Sequence, residues 1–298
     1  MDLLYISGSG RSGSTLVERL LHASQRFVAV GEFHVLWRLP HDQITCSCGA
    51  RLPDDPFWQP VLASAGIGAP EIAELARLEA RVARTGRIAA AGFSLDRLRD
   101  DPEVTAFLAP QLAILAAVAR AAGRDIVVDS SKAGPRAFVM ATLAASHSVH
   151  LWRHPTAVIA SWRSKKFDQG LGTLMARPGI PAAAADWWKV EQLARRLARE
   201  APVAMVDYDR LCADPAPVLA QALAAAGIAG DAGIPWADSH SVVAGAHYHS
   251  LNGNPDRFDR GPIRVAARSV DWSKQSAADR LLVPAAGALL GALYPRPG

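Results

Sequence analysis

Apolar residues recur along this chain in two alternating rhythms. Short, nearly continuous apolar runs occur at LLYIS (3–7), DIVVD (125–129), SVHLWR (148–153) and VAMVD (203–207). Runs of that kind are expected of strands buried on both faces of a parallel sheet. Between them, apolar positions three and four apart predict helices at about 15–23, 71–84, 104–122, 135–146, 156–166, 183–200 and 215–226. One more short strand fits in front of Glu32, in VAVGEFHVLW. Strands alternating with helices build βαβ units, so the expected fold is α/β, a three-layer sandwich with a central parallel sheet flanked by helices. Ligands then belong at the carboxyl ends of the strands. Residues 40–70 are rich in proline, glycine and aspartate, and 230–272 contain SLNGNPDRFDRGP, so both read as irregular excursions. No repeat and no linker interrupts the pattern, and residues 1–298 are expected to form a single domain.

Composition narrows the class. The chain has 298 residues, 50% hydrophobic and 20% charged, enough for a sizeable core. A net charge of only +4 suits an anionic small ligand better than a nucleic-acid groove, which carries dense Lys/Arg clusters with interleaved aromatics. The run Arg195, Arg196 and Arg199 falls in a helical pattern and reads as a solvated face. The opening MDLLYISGSG has no cationic leader before a long apolar core. The apolar stretch LLVPAAGALLGALY near the end is about fourteen residues with a proline inside, too short to span a bilayer. No membrane span is expected, and three cysteines without a leader point to a reducing cytoplasm. Cys46 and Cys48 in CSCG are half a metal site at most. No second pair follows and Cys212 is far away, so no metal is expected there.

The chemistry starts at LLYISGSGRSGSTLVERLL (3–21), a strand, a Gly/Ser turn and a helix starting near Ser14. Such a P-loop-like turn aims backbone N–H groups and a helix N-terminus at one point, which makes an anion site. Ser12, Ser14 and Thr15 add hydroxyls around Gly13, and Arg11 adds a planar fork suited to a tetrahedral oxyanion. Gly8 and Gly13 keep the P-loop spacing, but Ser14 stands where a P-loop NTPase needs its lysine. A Mg-dependent kinase or NTPase, with Asp129 of DIVVDSSK as its metal ligand, remains one alternative. A non-catalytic nucleotide-binding protein remains another.

The same loop, GSGRSGSTLVERLL, resembles the 5′-phosphosulfate loop of sulfotransferases that use 3′-phosphoadenosine 5′-phosphosulfate (PAPS), closest to the carbohydrate and tyrosylprotein branches. Three further segments resemble that family in the expected order. LWRHPTAVIASWRSKK is similar to its 3′-phosphate motif and implies Arg153 and Ser161 as ligands. VDYDRLCADP is similar to its Tyr-Glu-Asp-Leu segment, which implies Tyr208 near the adenine, with Asp209 in place of the usual Glu. HSLNGNPDRF resembles a Gly-Asn-Pro-x-Arg loop of bacterial members that closes over the nucleotide, implying Arg257 as a 3′-phosphate ligand; an ordinary turn stabilised by Asn254 and Pro255 is the alternative. CSCGARLPDDPFW also resembles a bacterial segment, with Asp55 where a cysteine often stands.

The resemblance implies a PAPS-dependent O-sulfotransferase acting on a small-molecule hydroxyl, with no metal and no nucleic-acid partner. Sulfuryl transfer passes through a loose transition state served by positioning and electrostatics, and a sulfuryl group carries less charge than a phosphoryl group, so fixed cations can replace Mg²⁺. The acceptor needs a general base. Glu32 is the expected base, as in the carbohydrate and tyrosylprotein branches, with His34 the alternative. Lys132, after the strand beside the loop, is expected to stabilise charge on the transferring group. Residues 40–70 and the helices of 156–200 are expected to form the acceptor pocket, with Asp186–Trp188 offering aromatic surface.

Overall fold

The computed structural model describes residues 1–165, 167–168, 172–243 and 248–297. Among these, β1 (Asp2–Gly8), β2 (Phe27–Gly31), β3 (Ile126–Lys132), β4 (Ser146–Trp152) and β5 (Val203–Asp207) form one parallel sheet in the order β2-β3-β1-β4-β5. The four long apolar runs are all strands, and the short run before Glu32 is β2. Their expected lengths hold to within three residues at either end.

The helices that shape the site are α1 (Ser14–His22), α2 (Pro102–Ala122), α3 (Gly134–Met140), α4 (Pro155–Arg163), α5 (Ile180–Leu197), α6 (Pro215–Ala225) and α7 (Ala277–Leu293). Alternation along β1 sends Leu3 and Tyr5 to one face of the sheet and Leu4 and Ile6 to the other. The first face packs against Phe107 and Leu115 of α2, Phe138 of α3 and Leu193 of α5. The second packs against Val17 and Leu21 of α1 and Leu219 of α6. Each of these buried side chains contributes roughly 1.5–3 kcal/mol relative to exposure. The result is the expected three-layer α/β sandwich. Among the described residues α2 is also long and apolar enough, by composition, to cross a bilayer; here its apolar positions are spent on the core.

Five features differ from the sequence-based expectation, and one is the helix expected over 135–146, which ends at Met140. The C-terminal apolar stretch, expected only to be too short for a bilayer, forms α7, a helix that runs through Pro284 and packs on α4. Gly287 makes this possible, because a Cβ there would overlap Thr156 Oγ1 and lie 2.7 Å from the Thr156 backbone nitrogen. The helix expected over 156–166 ends at Arg163, and position 166 lies outside the described residues. The excursion 40–70 contains the helix Trp58–Ser64, whose Trp58, Val61 and Leu62 are buried. Residues 230–272 contain a small antiparallel sheet of Trp236–Asp238, Ser241–Val242 and Ile263–Arg264, with 244–247 outside the described residues.

The site end of the sheet is irregular in a useful way. The β1–β3 register slips between Tyr5 and Ser7, so Ser7 faces Lys132, and Lys132 itself adopts φ 65. A bulge of this type re-aims the side chain that follows it. The β2–β3 register slips as well, between Ala29 and Gly31, just before Glu32.

Candidate active site

Gly13 is the N-cap of α1, at φ 103, and among the described residues no side chain caps the helix. No acidic residue occupies its first turn either. The first-turn N–H groups are therefore aimed outward at the positive end of the helix dipole, the arrangement that holds an oxyanion. Glycine is required at position 13 twice over. Its φ lies in the left-handed region, and a Cβ would stand 2.5 Å from the Tyr208 ring. Arg11 is left-handed as well, at φ 74, and its guanidinium lies over the Trp162 ring at 4.7 Å and donates to Met175 Sδ and Asn254 Oδ1. A non-glycine residue held there by surrounding contacts is a mark of a functional loop.

Two cavities meet at this loop. The larger, of 810 Å³, is lined by Gly13, Thr15, Arg153, Ser161 and Tyr208 and by a basic wall. Its lining carries eight cationic side chains against three carboxylates. Arg19, Arg260, Arg264, Arg268 and Lys274 belong to that wall. The smaller, of 470 Å³, contains Ser14, Glu32, His34, Lys132, Trp162 and Asp186. Arg11 and Asn254 line both. Both volumes suit small-molecule ligands.

Within the smaller cavity the Glu32 carboxylate accepts from Lys132 Nζ and from Asn252 Nδ2, the latter at 2.9 Å. Lys132 Nζ also reaches the Ser130 carbonyl at 3.3 Å. His34 Nδ1 is buried without a hydrogen-bond partner among the described residues. Burial, then Arg38, Arg136 and Lys132, hold the His34 imidazole well below its usual range. Beneath the loop, Glu18 of α1 is fully buried and accepts from Ser130, Tyr248 and Ser250. Burial raises its pKa despite those donors.

The model of the sulfotransferase family matches residues 4–232. The chain belongs to the sulfotransferase family. The matched span runs from β1 past β5 and so includes the loop, Glu32, Lys132, Arg153, Ser161 and Tyr208. Among solved structures, sulfotransferase STF1 from Mycobacterium tuberculosis is 16% identical, over 78% of this chain and 69% of that one, with a TM-score of 0.44. A search of curated proteins gave no match.

In this sulfotransferase most residues singled out from the sequence converge, and two, Ser12 and Arg257, line neither cavity. Arg11, Gly13, Thr15, Arg153 and Ser161 line the basic cavity, and Ser14 faces the other one. Ser12 does neither: it is fully buried beneath the turn, its N–H donating to the Ser9 carbonyl at 3.2 Å. Tyr208 lines the basic cavity, but its ring is packed between Gly13 and the Arg153 guanidinium, 4.4 Å away. It buttresses Arg153 instead of offering an open face, and burial raises its phenol to about 12. Arg153 donates to the Arg11 and Arg268 carbonyls, both at 2.8 Å, which ties the loop to the basic wall.

Arg257 stands apart from the other expected nucleotide ligands. Its guanidinium is buried over Phe258, donates to the Thr45 and Ser250 carbonyls at 2.6 and 3.3 Å, and lies outside the basic cavity. Arg260, Arg264 and Arg268, further along the same segment, face the cavity in its stead. Asp129, the metal ligand of the kinase alternative, is engaged by protein groups: it pairs with Arg136 at 3.0 Å and accepts from the Ser131 N–H. Neither Asp129 nor residues 40–70 line the smaller cavity. Its aromatic wall is Trp162, since Trp187 is buried with its indole donating to the Arg153 carbonyl, and Trp188 faces solvent.

Asn252 and Trp162 went unnoticed in the sequence. Asn252 holds Glu32 and Trp162 holds Arg11, yet each lies more than a hundred residues from its partner, with no local pattern to mark it.

Proposed function

We propose that this chain transfers the sulfuryl group of PAPS to a hydroxyl of a small molecule, a carbohydrate or natural product, with Glu32 as general base and without a metal at the transferring group. One observation carries the reading: Arg11 is the shared wall between a basic cavity and a cavity holding Glu32 and Lys132. A nucleotide with phosphates at both ends of its ribose suits the first. Its 5′-phosphosulfate fits the loop and α1, and its 3′-phosphate fits Arg153 and Ser161. The sulfur then points past Arg11 into the second cavity.

There the acceptor hydroxyl gives its proton to Glu32 as its oxygen attacks sulfur. The new O–S bond forms while the bond from sulfur to the 5′-phosphate oxygen breaks, leaving a sulfate ester and 3′,5′-bisphosphoadenosine. Charge grows on the departing phosphate oxygen, where Arg11 and the α1 N–H groups stabilise it. Lys132, paired with Glu32 in the same cavity, is the cation that would serve the equatorial sulfuryl oxygens. His34 is the weaker base, because its surroundings disfavour the cation it would become.

Thermal-shift titration tests the donor. 3′,5′-Bisphosphoadenosine at 100 times its Kd should stabilise the protein by about 2.7 kcal/mol in Mg²⁺-free buffer. ATP should give a smaller shift that added Mg²⁺ does not rescue. A shift with ATP and Mg²⁺ alone would assign the loop to phosphoryl transfer.

A further inference from the structure

A second chemical cluster lies away from the transfer site. Cys46, Cys48, Asp55 and His249 bring their Sγ, Sγ, carboxylate and imidazole atoms within 4.8 Å of one another. Cys46 and Asp55 are fully buried. Cys46 Sγ stands 3.6 Å from His249 Nδ1, Cys48 Sγ 3.0 Å from Asp55 Oδ2, and His249 Nδ1 3.6 Å from Asp55 Oδ1. A tetrahedron with metal–ligand bonds of 2.0–2.3 Å has edges of about 3.3–3.8 Å, close to these separations.

We propose that these four side chains form a zinc site that fastens the 44–58 segment to the active-site loop 248–254. Two thiolates, an imidazole and a carboxylate are a donor set suited to tetrahedral Zn²⁺. The surroundings orient each ligand as a metal site requires. Asp55 Oδ1 accepts the N–H groups of Phe57 and Trp58 at 2.8 and 2.9 Å, leaving Oδ2 turned toward Cys48. The Ala50 N–H points at Cys48 Sγ at 3.4 Å, across a turn in which the Gly49 N–H donates to the Cys46 carbonyl. The His249 ring stacks on Phe57 at 4.7 Å, and its carbonyl accepts from Trp58 Nε1. Zinc with two thiolates and one carboxylate carries a net negative charge. Arg257 and Arg260 donate to the carbonyls of Thr45 and Ser47, on either side of Cys46, and supply counter-charge.

The site has a consequence for the enzyme. Leu251, two residues after His249, bridges to both Gly31 and Cys46. Asn252 then holds Glu32, and Asn254 holds Arg11. The metal would set the position of the loop that carries both contacts. The CSCG pair reads in the sequence as half a site only, because the histidine that completes the set is 203 residues from Cys46.

The test reads metal and needs no activity, so it stands apart from the donor assignment. Untagged wild-type protein should retain one zinc per chain through gel filtration, measured by mass spectrometry of the metal. The stripped chain should take up Co²⁺ with a thiolate-to-metal charge-transfer band, releasing the thiol protons as it binds. Cys46→Ser and Cys48→Ser should lose the zinc and the band, and Cys212→Ser should keep both. The proposal fails if the wild-type chain holds only traces of zinc and shows no charge-transfer band. It also fails if the intact mass shows a Cys46–Cys48 disulfide in freshly purified protein, or if Cys212→Ser is the variant that loses the metal.

Discussion

Glu32 is gripped from both sides, by Lys132 and by Asn252, so its oxygens are positioned before any acceptor arrives. Glu32→Gln keeps the shape and most of the hydrogen bonding but cannot take a proton. Nucleotide affinity should stay nearly intact while turnover falls roughly 10²–10⁴-fold, the usual weight of a general base. Single-turnover kinetics beside calorimetric binding separates the two. If His34→Ala stops turnover and Glu32→Gln does not, the base is His34. Arg153 is the residue whose loss should show in binding. Arg153→Ala removes a cation from the basic cavity and should weaken 3′,5′-bisphosphoadenosine by about 1.5–3 kcal/mol, the range for a charge-assisted hydrogen bond. Arg257→Ala, whose guanidinium serves the Thr45 and Ser250 carbonyls, should cost stability but spare most of that affinity. Equal losses of affinity in the two variants would return Arg257 to the nucleotide.

At the scale of elements, the basic cavity depends on two close approaches. One is Tyr208 against Gly13, which seats the start of α1 over β5's end. The other is α7 against α4 at Gly287 and Thr156. Helix α4 carries Ser161 and Trp162, so forcing α7 away from it moves the wall of both cavities. Gly287→Ala should destabilise the protein by about 1–3 kcal/mol, the cost of overpacking a closed contact, read as a lower midpoint in urea unfolding. An unchanged midpoint would mean that α7 is not held against α4 in solution. The periodicities marked α1, α2, α5 and α6 to within three residues and overran the end of α3, which stops at Met140, because an amphipathic helix is written in residues three and four apart. Helix α7 was hidden by its own composition. Its run of Ala, Leu and Gly around Pro284 has little polar contrast, and only α4 tells the apolar residues which side to bury.

For the whole molecule, pH offers a check on the electrostatics. The His34 imidazole is held below its usual range by burial and by three cations. The unfolded chain therefore takes up this proton near pH 6.5 while the folded chain does not. Stability from this group is complete above about pH 6.5 and is lost as pH falls through the window below it. Wild type should lose more Tm than His34→Asn between pH 8 and pH 5.5. Equal losses would show that His34 titrates as an ordinary surface histidine.

What the sequence by itself determined is what near neighbours dictate: the strands from continuous apolar runs, most helices from their period, and the Gly/Ser turn with Arg11 between β1 and α1. The family was legible for the same reason, since its motifs are contiguous. Tertiary structure alone decided which distant residues meet. The order β2-β3-β1-β4-β5 puts the ends of β1, β2 and β3 side by side, and so brings Arg11, Glu32 and Lys132 to one place. It decided that Arg257 turns inward while Arg260, Arg264 and Arg268 face the basic cavity, and that His249 joins Cys46, Cys48 and Asp55. Such choices depend on packing between segments as much as 243 residues apart, and no local pattern of side chains encodes them.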